Sequence, residues 1–91
     1  MDPTVVNVEF YTSAFCGPCR TTRAVLGEAA RLLPALRLEE VDVAEQVVRA
    51  ELAGITSTPT TLIRDAQGRE VFRAAGVPTL AQVLVALDRA A

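Results

Sequence analysis

Residues 4–20, TVVNVEFYTSAFCGPCR, decide the fold, because an apolar run leads there directly into two closely spaced cysteines. The run is rich in β-branched and apolar side chains, which predicts a largely buried strand. Cys16 and Cys19 follow, separated by Gly17 and Pro18. Pro18 suits the first turn of a helix, where its missing N–H leaves no hydrogen bond unmade. The stretch therefore predicts a strand, a short loop and a helix that begins at the cysteine pair.

The rest of the chain, read by apolar periodicity and turn residues, predicts five further elements in one domain over residues 1–91. The helix after the cysteines should be ended by Pro34, and Gly54 is well placed as the C-cap residue of a second helix. Asp65 and Gly68 suit a tight turn between the last two strands. Strands are expected at about 4–11 and 36–43 and as a pair within 59–74, and helices at about 17–33, 44–54 and 79–90.

The element order β-α-β-α-β-β-α indicates an α/β fold with one mixed sheet of four strands and helices on both faces. Strands joined through a helix should run parallel with a right-handed crossover, and the last two strands should form an antiparallel hairpin. Ligand chemistry in such sheets lies at the carboxyl ends of the parallel strands. Cys16 falls at that end, just beyond the first strand.

Composition excludes several classes of partner. The 91 residues carry nine basic and eleven acidic side chains, a net charge of -2, with no basic block. We therefore expect neither nucleic acid nor a membrane as partner. The N-terminus has an acid where an export signal needs positive charge, and no apolar run is long enough to span a bilayer. These features favour a cytoplasmic protein, which we expect to be a monomer. In the cytoplasm disulfides are mostly transient, catalytic or sensing.

The spacing of the cysteines favours redox chemistry. At a helix N-terminus, unpaired N–H groups and the helix dipole would stabilise a thiolate at Cys16. Its pKa should then fall from about 8.5 towards 7 or below, as in other Cys-X-X-Cys motifs. Cys19, one turn along, should reach Cys16 while being less exposed. We therefore expect Cys16 to attack a substrate disulfide and Cys19 to resolve the mixed disulfide.

The cysteine pair has three other interpretations. A structural disulfide closing so small a loop would contribute about 2 kcal/mol at best. A zinc site needs about four ligands, and the sequence has no histidine and no third cysteine, so a dimer would have to share two pairs. A non-catalytic binding module whose cysteines only sense redox state is the third interpretation.

Several segments together resemble the thioredoxin superfamily. CGPC at residues 16–19 matches the active-site motif of thioredoxins, and GITSTPTTLI at 54–63 resembles their segment with the Pro-Thr pair. RLEEVDVAEQ at 37–46 and DAQGREVFRAAG at 65–76 are similar to the connecting strand and the closing hairpin. The resemblance covers about residues 5–90. The extra strand and helix with which full-length thioredoxins begin have no counterpart in these residues. EFYTSAFC is closer to glutaredoxins, so the nearest group is the short, glutaredoxin-like thioredoxins.

This resemblance implies a thiol–disulfide oxidoreductase that reduces protein disulfides. It also implies that no cofactor or metal is bound, and that reducing equivalents come from NADPH through a thioredoxin reductase. A glutathione-linked glutaredoxin and a dedicated electron donor to ribonucleotide reductase are the alternatives. The segment after the hairpin, AAGVPTLAQ, lacks the sequence signatures of both groups.

Further site residues are implied by the same resemblance. Pro59 matches the family's cis proline beside the cysteines, and the backbone of Thr58 would pair with a substrate strand. Gly76 matches a loop glycine that lets the substrate backbone approach. Gly17 and Pro18, within the motif, are expected to contact substrate. An ordinary strand-entry proline and a simple turn glycine are the plainer interpretations of Pro59 and Gly76.

Glu9 is the sharpest hypothesis at the level of one residue. Thioredoxins carry a buried aspartate in the first strand, beneath the second cysteine, as a proton acceptor. Glu9 precedes Phe10 in the same way, although one extra residue separates it from the cysteine motif. We expect Glu9 either to accept the proton of Cys19 or to be a snorkelling or edge-exposed glutamate.

Overall fold

The computed structural model describes residues 5–91 and confirms the order of elements. Residues 1–4 lie outside the described residues. They include the start of the first predicted strand and part of the N-terminal segment that we do not expect to be an export signal. The bounds agree with the expected ones to within a few residues. In the described chain they are β1 Val6–Thr12, α1 Gly17–Leu32, β2 Leu36–Asp42, α2 Val47–Leu52, β3 Thr60–Arg64, β4 Glu70–Ala75 and α3 Leu80–Ala90.

The strands form one mixed sheet in the order β2-β1-β3-β4. β1 runs parallel to β2, with Val8 opposite Leu38, and antiparallel to β3, with Tyr11 opposite Thr60. β3 and β4 form the expected antiparallel hairpin. The carboxyl end of β1 therefore lies beside the start of β3, and the end of β4 lies beside that start of β3, with Ala75 opposite Thr60.

Helices cover both faces of the sheet, as predicted, and each face has its own core. Apolar side chains of α1 and α3, including Leu26 and Leu87, pack with Val8, Phe10 and Ile63 of the sheet. α2 covers the other face, where Ala50 packs against Tyr11, Val41 and Leu62. Because side chains alternate along a strand, even-numbered residues of β1 face α1 and α3, and Glu9 and Tyr11 face α2. No helix formed by residues 5–91 is long and apolar enough to cross a membrane.

Gly54 ends α2 in the way its position predicted. Its φ is +71°, its N–H donates to the carbonyl of Glu51 at 3.0 Å, and the N–H of Ile55 donates to that of Ala50 at 3.0 Å. This pair of bonds is the Schellman arrangement, which needs a left-handed residue that glycine adopts without strain. The turn brings the chain back towards β3.

We predict that Gly54→Ala lowers the free energy of unfolding by about 1–2 kcal/mol, because only the left-handed backbone is penalised. A Cβ there would meet Arg73 at 3.9 Å, an ordinary contact. Gly27→Ala is the control, since Gly27 lies within α1 with open space around it, and it should raise stability by about 0.5–1 kcal/mol. Urea unfolding of both variants measures this. Equal effects of the two substitutions would contradict it.

Candidate active site

The N-terminus of α1 holds the sulfur of Cys16. Cys16 is the N-cap residue, with extended backbone, and its Sγ accepts a hydrogen bond from the N–H of Cys19 at 3.1 Å. The two cysteines form a disulfide with their Cα atoms 5.2 Å apart. Pro18 lies in the first turn, where its missing N–H costs nothing. The first turn of the helix therefore holds both sulfurs together and directs a backbone donor at Cys16.

The two sulfurs differ in exposure. Cys19 is 1% exposed and packs in the core beneath α1, whereas Cys16 is partly exposed. Gly17 and Pro18 between them are exposed, so that a partner molecule can reach the motif from solvent. Phe15, just before Cys16, is fully exposed and has a φ of 59°, a conformation that a bulky residue adopts rarely. An apolar ring is thus held in water beside the accessible sulfur.

Three loops meet at this end of the sheet. The Thr58–Pro59 peptide bond is cis, as the resemblance implied. The hydroxyls of Ser13 and Thr58 are hydrogen-bonded at 2.8 Å, and the N–H of Gly76 donates to the carbonyl of Pro59 at 2.8 Å. The loop that carries Cys16 is therefore tied to the Pro59 loop, which is tied to the turn after β4. Sequence reasoning missed Ser13, whose only signal was a polar residue between the strand and the motif.

Glu9 is the predicted site residue that the structure places elsewhere. Its side chain lies on the α2 face of the sheet with that of Tyr11, whereas Cys19 packs on the opposite face with Phe10. The sheet itself separates the carboxylate from the buried sulfur. The expected position of Glu9 beneath the second cysteine is therefore wrong. Successive side chains of a strand point to opposite faces, so Glu9 shares the face of Tyr11 and not that of Phe10.

The contacts of Glu9 show what it does instead. Its carboxylate accepts hydrogen bonds from the Tyr11 hydroxyl at 2.8 Å and from the Arg64 guanidinium at 3.0 Å, and Arg49 of α2 lies 3.9 Å away. The pKa of Tyr11 is raised, first because its hydroxyl is removed from solvent and second because it is hydrogen-bonded to the carboxylate of Glu9. Arg49 also donates to both carboxylate oxygens of Glu39. This network joins α2 to three strands.

No metal site was found in the part of the chain that the structure describes. Over residues 5–91 no three histidine, cysteine or acidic side chains come together in a group that could hold a metal ion.

The comparisons agree with the site. The family model described as thioredoxin matches residues 2–88. The chain belongs to the thioredoxin family. It is 36% identical to a thioredoxin of Chlamydia muridarum and 34% identical to one of Chlamydia pneumoniae, over 73 residues in each case, which is 80% of this chain and 70% of each relative.

Solved structures show the same fold. The thioredoxin of Fasciola hepatica superposes with a TM-score of 0.82 at 24% identity, covering 94% of this chain and 81% of that one. Mitochondrial thioredoxin 3 of Saccharomyces cerevisiae gives 0.80 at 21% identity, covering 93% and 78%.

Family and geometry together establish the class of activity. The chain is a thiol–disulfide oxidoreductase of the thioredoxin type. The family match supports this assignment over the alternative of a glutathione-linked glutaredoxin. The family reduces disulfides, and the adjacent pair of Cys16 and Cys19 is the group that undergoes the redox change.

We predict that Glu9→Gln lowers the free energy of unfolding by about 1 kcal/mol, since it weakens a charged hydrogen bond to Arg64. The rate at which Cys19 resolves a mixed disulfide should not change, because the sheet lies between the two side chains. Glu28→Gln is the matched control: it removes an exposed pair with Arg31 within one helix and should cost little. Urea unfolding and the kinetics of thiol release test both variants, and slower resolution in Glu9→Gln alone would restore the proton-acceptor role.

Proposed function

We propose that this member of the thioredoxin family reduces disulfides of other proteins, with Cys16 as the attacking and Cys19 as the resolving cysteine. One observation carries the proposal: the partly exposed sulfur of Cys16 caps α1 and accepts the Cys19 N–H, while Cys19 is buried one turn along. A sulfur that is accessible and faces a backbone donor suits attack on an incoming disulfide. A buried sulfur within reach suits the second, intramolecular step.

The reaction then proceeds in two exchanges. The Cys16 thiolate attacks one sulfur of the substrate disulfide, forms a mixed disulfide and releases the other substrate sulfur as a thiolate. Cys19 loses its proton to solvent and attacks Cys16, which closes the Cys16–Cys19 disulfide and releases the second substrate sulfur as a thiolate. The two substrate thiolates take up protons, and two electrons have passed to the substrate.

The loops around the cysteines offer a place for the substrate chain. No backbone partner for the N–H or C=O of Thr58 is found within residues 5–91, which supports pairing of these groups with a substrate strand. Gly76 has a φ of +96° and open space at its Cβ position, so the substrate backbone can approach closely there. Exposed Gly17 and Pro18 complete the contact surface beside Cys16.

The electrons are proposed to come from NADPH through a thioredoxin reductase, without a cofactor bound to this chain. The segment AAGVPTLAQ at residues 74–82, from the end of β4 to the start of α3, lacks the signature with which glutaredoxins hold glutathione, which supports a protein reductase as donor. A single redox pair also suits the cytoplasm, where disulfides are mostly transient. We propose that the protein acts there as a monomer.

We predict that the protein reduces insulin disulfides with dithiothreitol, and with NADPH and a thioredoxin reductase, while glutathione with its reductase supports little turnover. Insulin precipitation and NADPH oxidation measure this. Cys16→Ser should abolish turnover with every donor, since no attacking thiolate remains. Turnover with glutathione alone would overturn the choice of donor, and disulfide exchange too slow to measure with all three would favour the sensing module.

We predict that Cys19→Ser traps substrate proteins on Cys16, because the first exchange proceeds and the second is blocked. Non-reducing electrophoresis of the variant mixed with insulin should show a covalent adduct that dithiothreitol removes. The control is Cys16→Ser, in which the remaining thiol is buried and should form no adduct. Adducts that form more readily in Cys16→Ser would reverse the two roles.

A further inference from the structure

Two buried hydroxyls distinguish the layer between α1 and the sheet. The side chains of Thr22 and Thr61 are both 0% exposed. Among the described residues, neither Oγ1 atom has a hydrogen-bond partner in the oxidised protein. Buried hydroxyls are almost always paired, and an unpaired one is costly. A pair of such groups in one layer therefore indicates a partner that they acquire in another state of the protein.

Both threonines lie on the side of the sheet that holds the resolving sulfur. Thr22 follows Cys19 by one turn, on the same buried face of α1, and residues three apart on a helix are neighbours. Thr61 stands opposite Phe10 in the β1–β3 pairing, so its side chain shares that face of the sheet. Phe10 and Cys19 belong to the same core cluster. Glu9, on the other face, cannot supply a polar group here.

The resolving step creates the need for such groups. A thiolate in apolar surroundings is disfavoured, yet Cys19 must lose its proton to attack Cys16. In the disulfide neither hydroxyl is hydrogen-bonded to the Cys19 sulfur. In the mixed disulfide the Cys19 sulfur is free, and a hydroxyl can accept from its S–H or donate to its thiolate.

We propose that the hydroxyls of Thr22 and Thr61 are hydrogen-bond partners of the Cys19 sulfur during resolution of the mixed disulfide. They donate to the developing thiolate as the Cys19 thiol gives up its proton to solvent water. The Cys16–Cys19 bond then forms, the bond between Cys16 and the substrate breaks, and the substrate sulfur leaves as a thiolate that gains a proton. The proposal rests on the assignment of Cys19 as the resolving cysteine.

The test uses 5,5′-dithiobis(2-nitrobenzoate), an aromatic disulfide whose thiolate is coloured when released. Reduced protein should release one equivalent when Cys16 attacks and a second when Cys19 resolves the mixed disulfide. In Thr22→Val and Thr61→Val the first release should keep its rate. The second should slow by about tenfold, the order expected for a lost hydrogen bond to a charged group. Thr22→Ser and Thr61→Ser, which keep the hydroxyl, should restore it.

Two controls separate this role from packing. Ile63→Val removes one methyl group from the same strand and face as Thr61; it should lower the unfolding midpoint and leave the ratio of the two rates unchanged. The valine variants should unfold at the wild-type midpoint or above it, because they remove unpaired hydroxyls. A lower midpoint would mean that the hydroxyls are paired in the oxidised protein as well, which contradicts the proposal.

Three further results would overturn it: an unchanged second release in both valine variants, serine variants as slow as the valine ones, or equal slowing in Ile63→Val. A wild-type protein that releases the first equivalent but never the second would instead overturn the role of Cys19, and with it this proposal.

Discussion

The hydrogen bond from the Cys19 N–H to the Cys16 sulfur, at 3.1 Å, is the interaction on which the chemistry of this protein depends. It exists because α1 begins immediately after Cys16, so that the sulfur takes the place of an N-cap side chain. The positive end of the helix dipole acts in the same direction. Packing of α1 on the sheet through Leu26 holds this geometry in place, and one secondary-structure boundary thereby becomes a reactive site.

The sheet assembles the rest of the site around that boundary. β3 runs antiparallel to β1, so the loop before β3 returns to the end from which the cysteine loop leaves. The turn after β4 returns there as well. The Ser13–Thr58 and Gly76–Pro59 hydrogen bonds then join the three loops. The difference in exposure between the Cys16 and Cys19 sulfurs follows from the same arrangement, because α1 presents one side of its first turn to solvent and the other to the core.

Most of the fold could be predicted from the sequence, since the periodicities and Gly54 act locally and each element is short. The position of Cys16 at the carboxyl end of a parallel strand could be predicted too. The face on which Glu9 lies could not: Asn7 and Glu9 alternate with Val6, Val8 and Phe10, but this alternation does not say which of the two faces α1 covers. The unpaired hydroxyls of Thr22 and Thr61 depend on packing across α1 and β3, which no local pattern reports. The cis form of Pro59 was known only through resemblance.

The most direct measurement is the pH dependence of Cys16 alkylation by iodoacetamide in the fully reduced protein, with the modified residue identified by peptide mass spectrometry. If the helix N-terminus stabilises the thiolate, the rate rises with a midpoint near pH 7 or below, well under the value of about 8.5 for an ordinary cysteine. Under denaturing conditions the midpoint should return to that ordinary value. A midpoint at or above 8.5 in the folded protein would contradict the stabilisation of a Cys16 thiolate by α1.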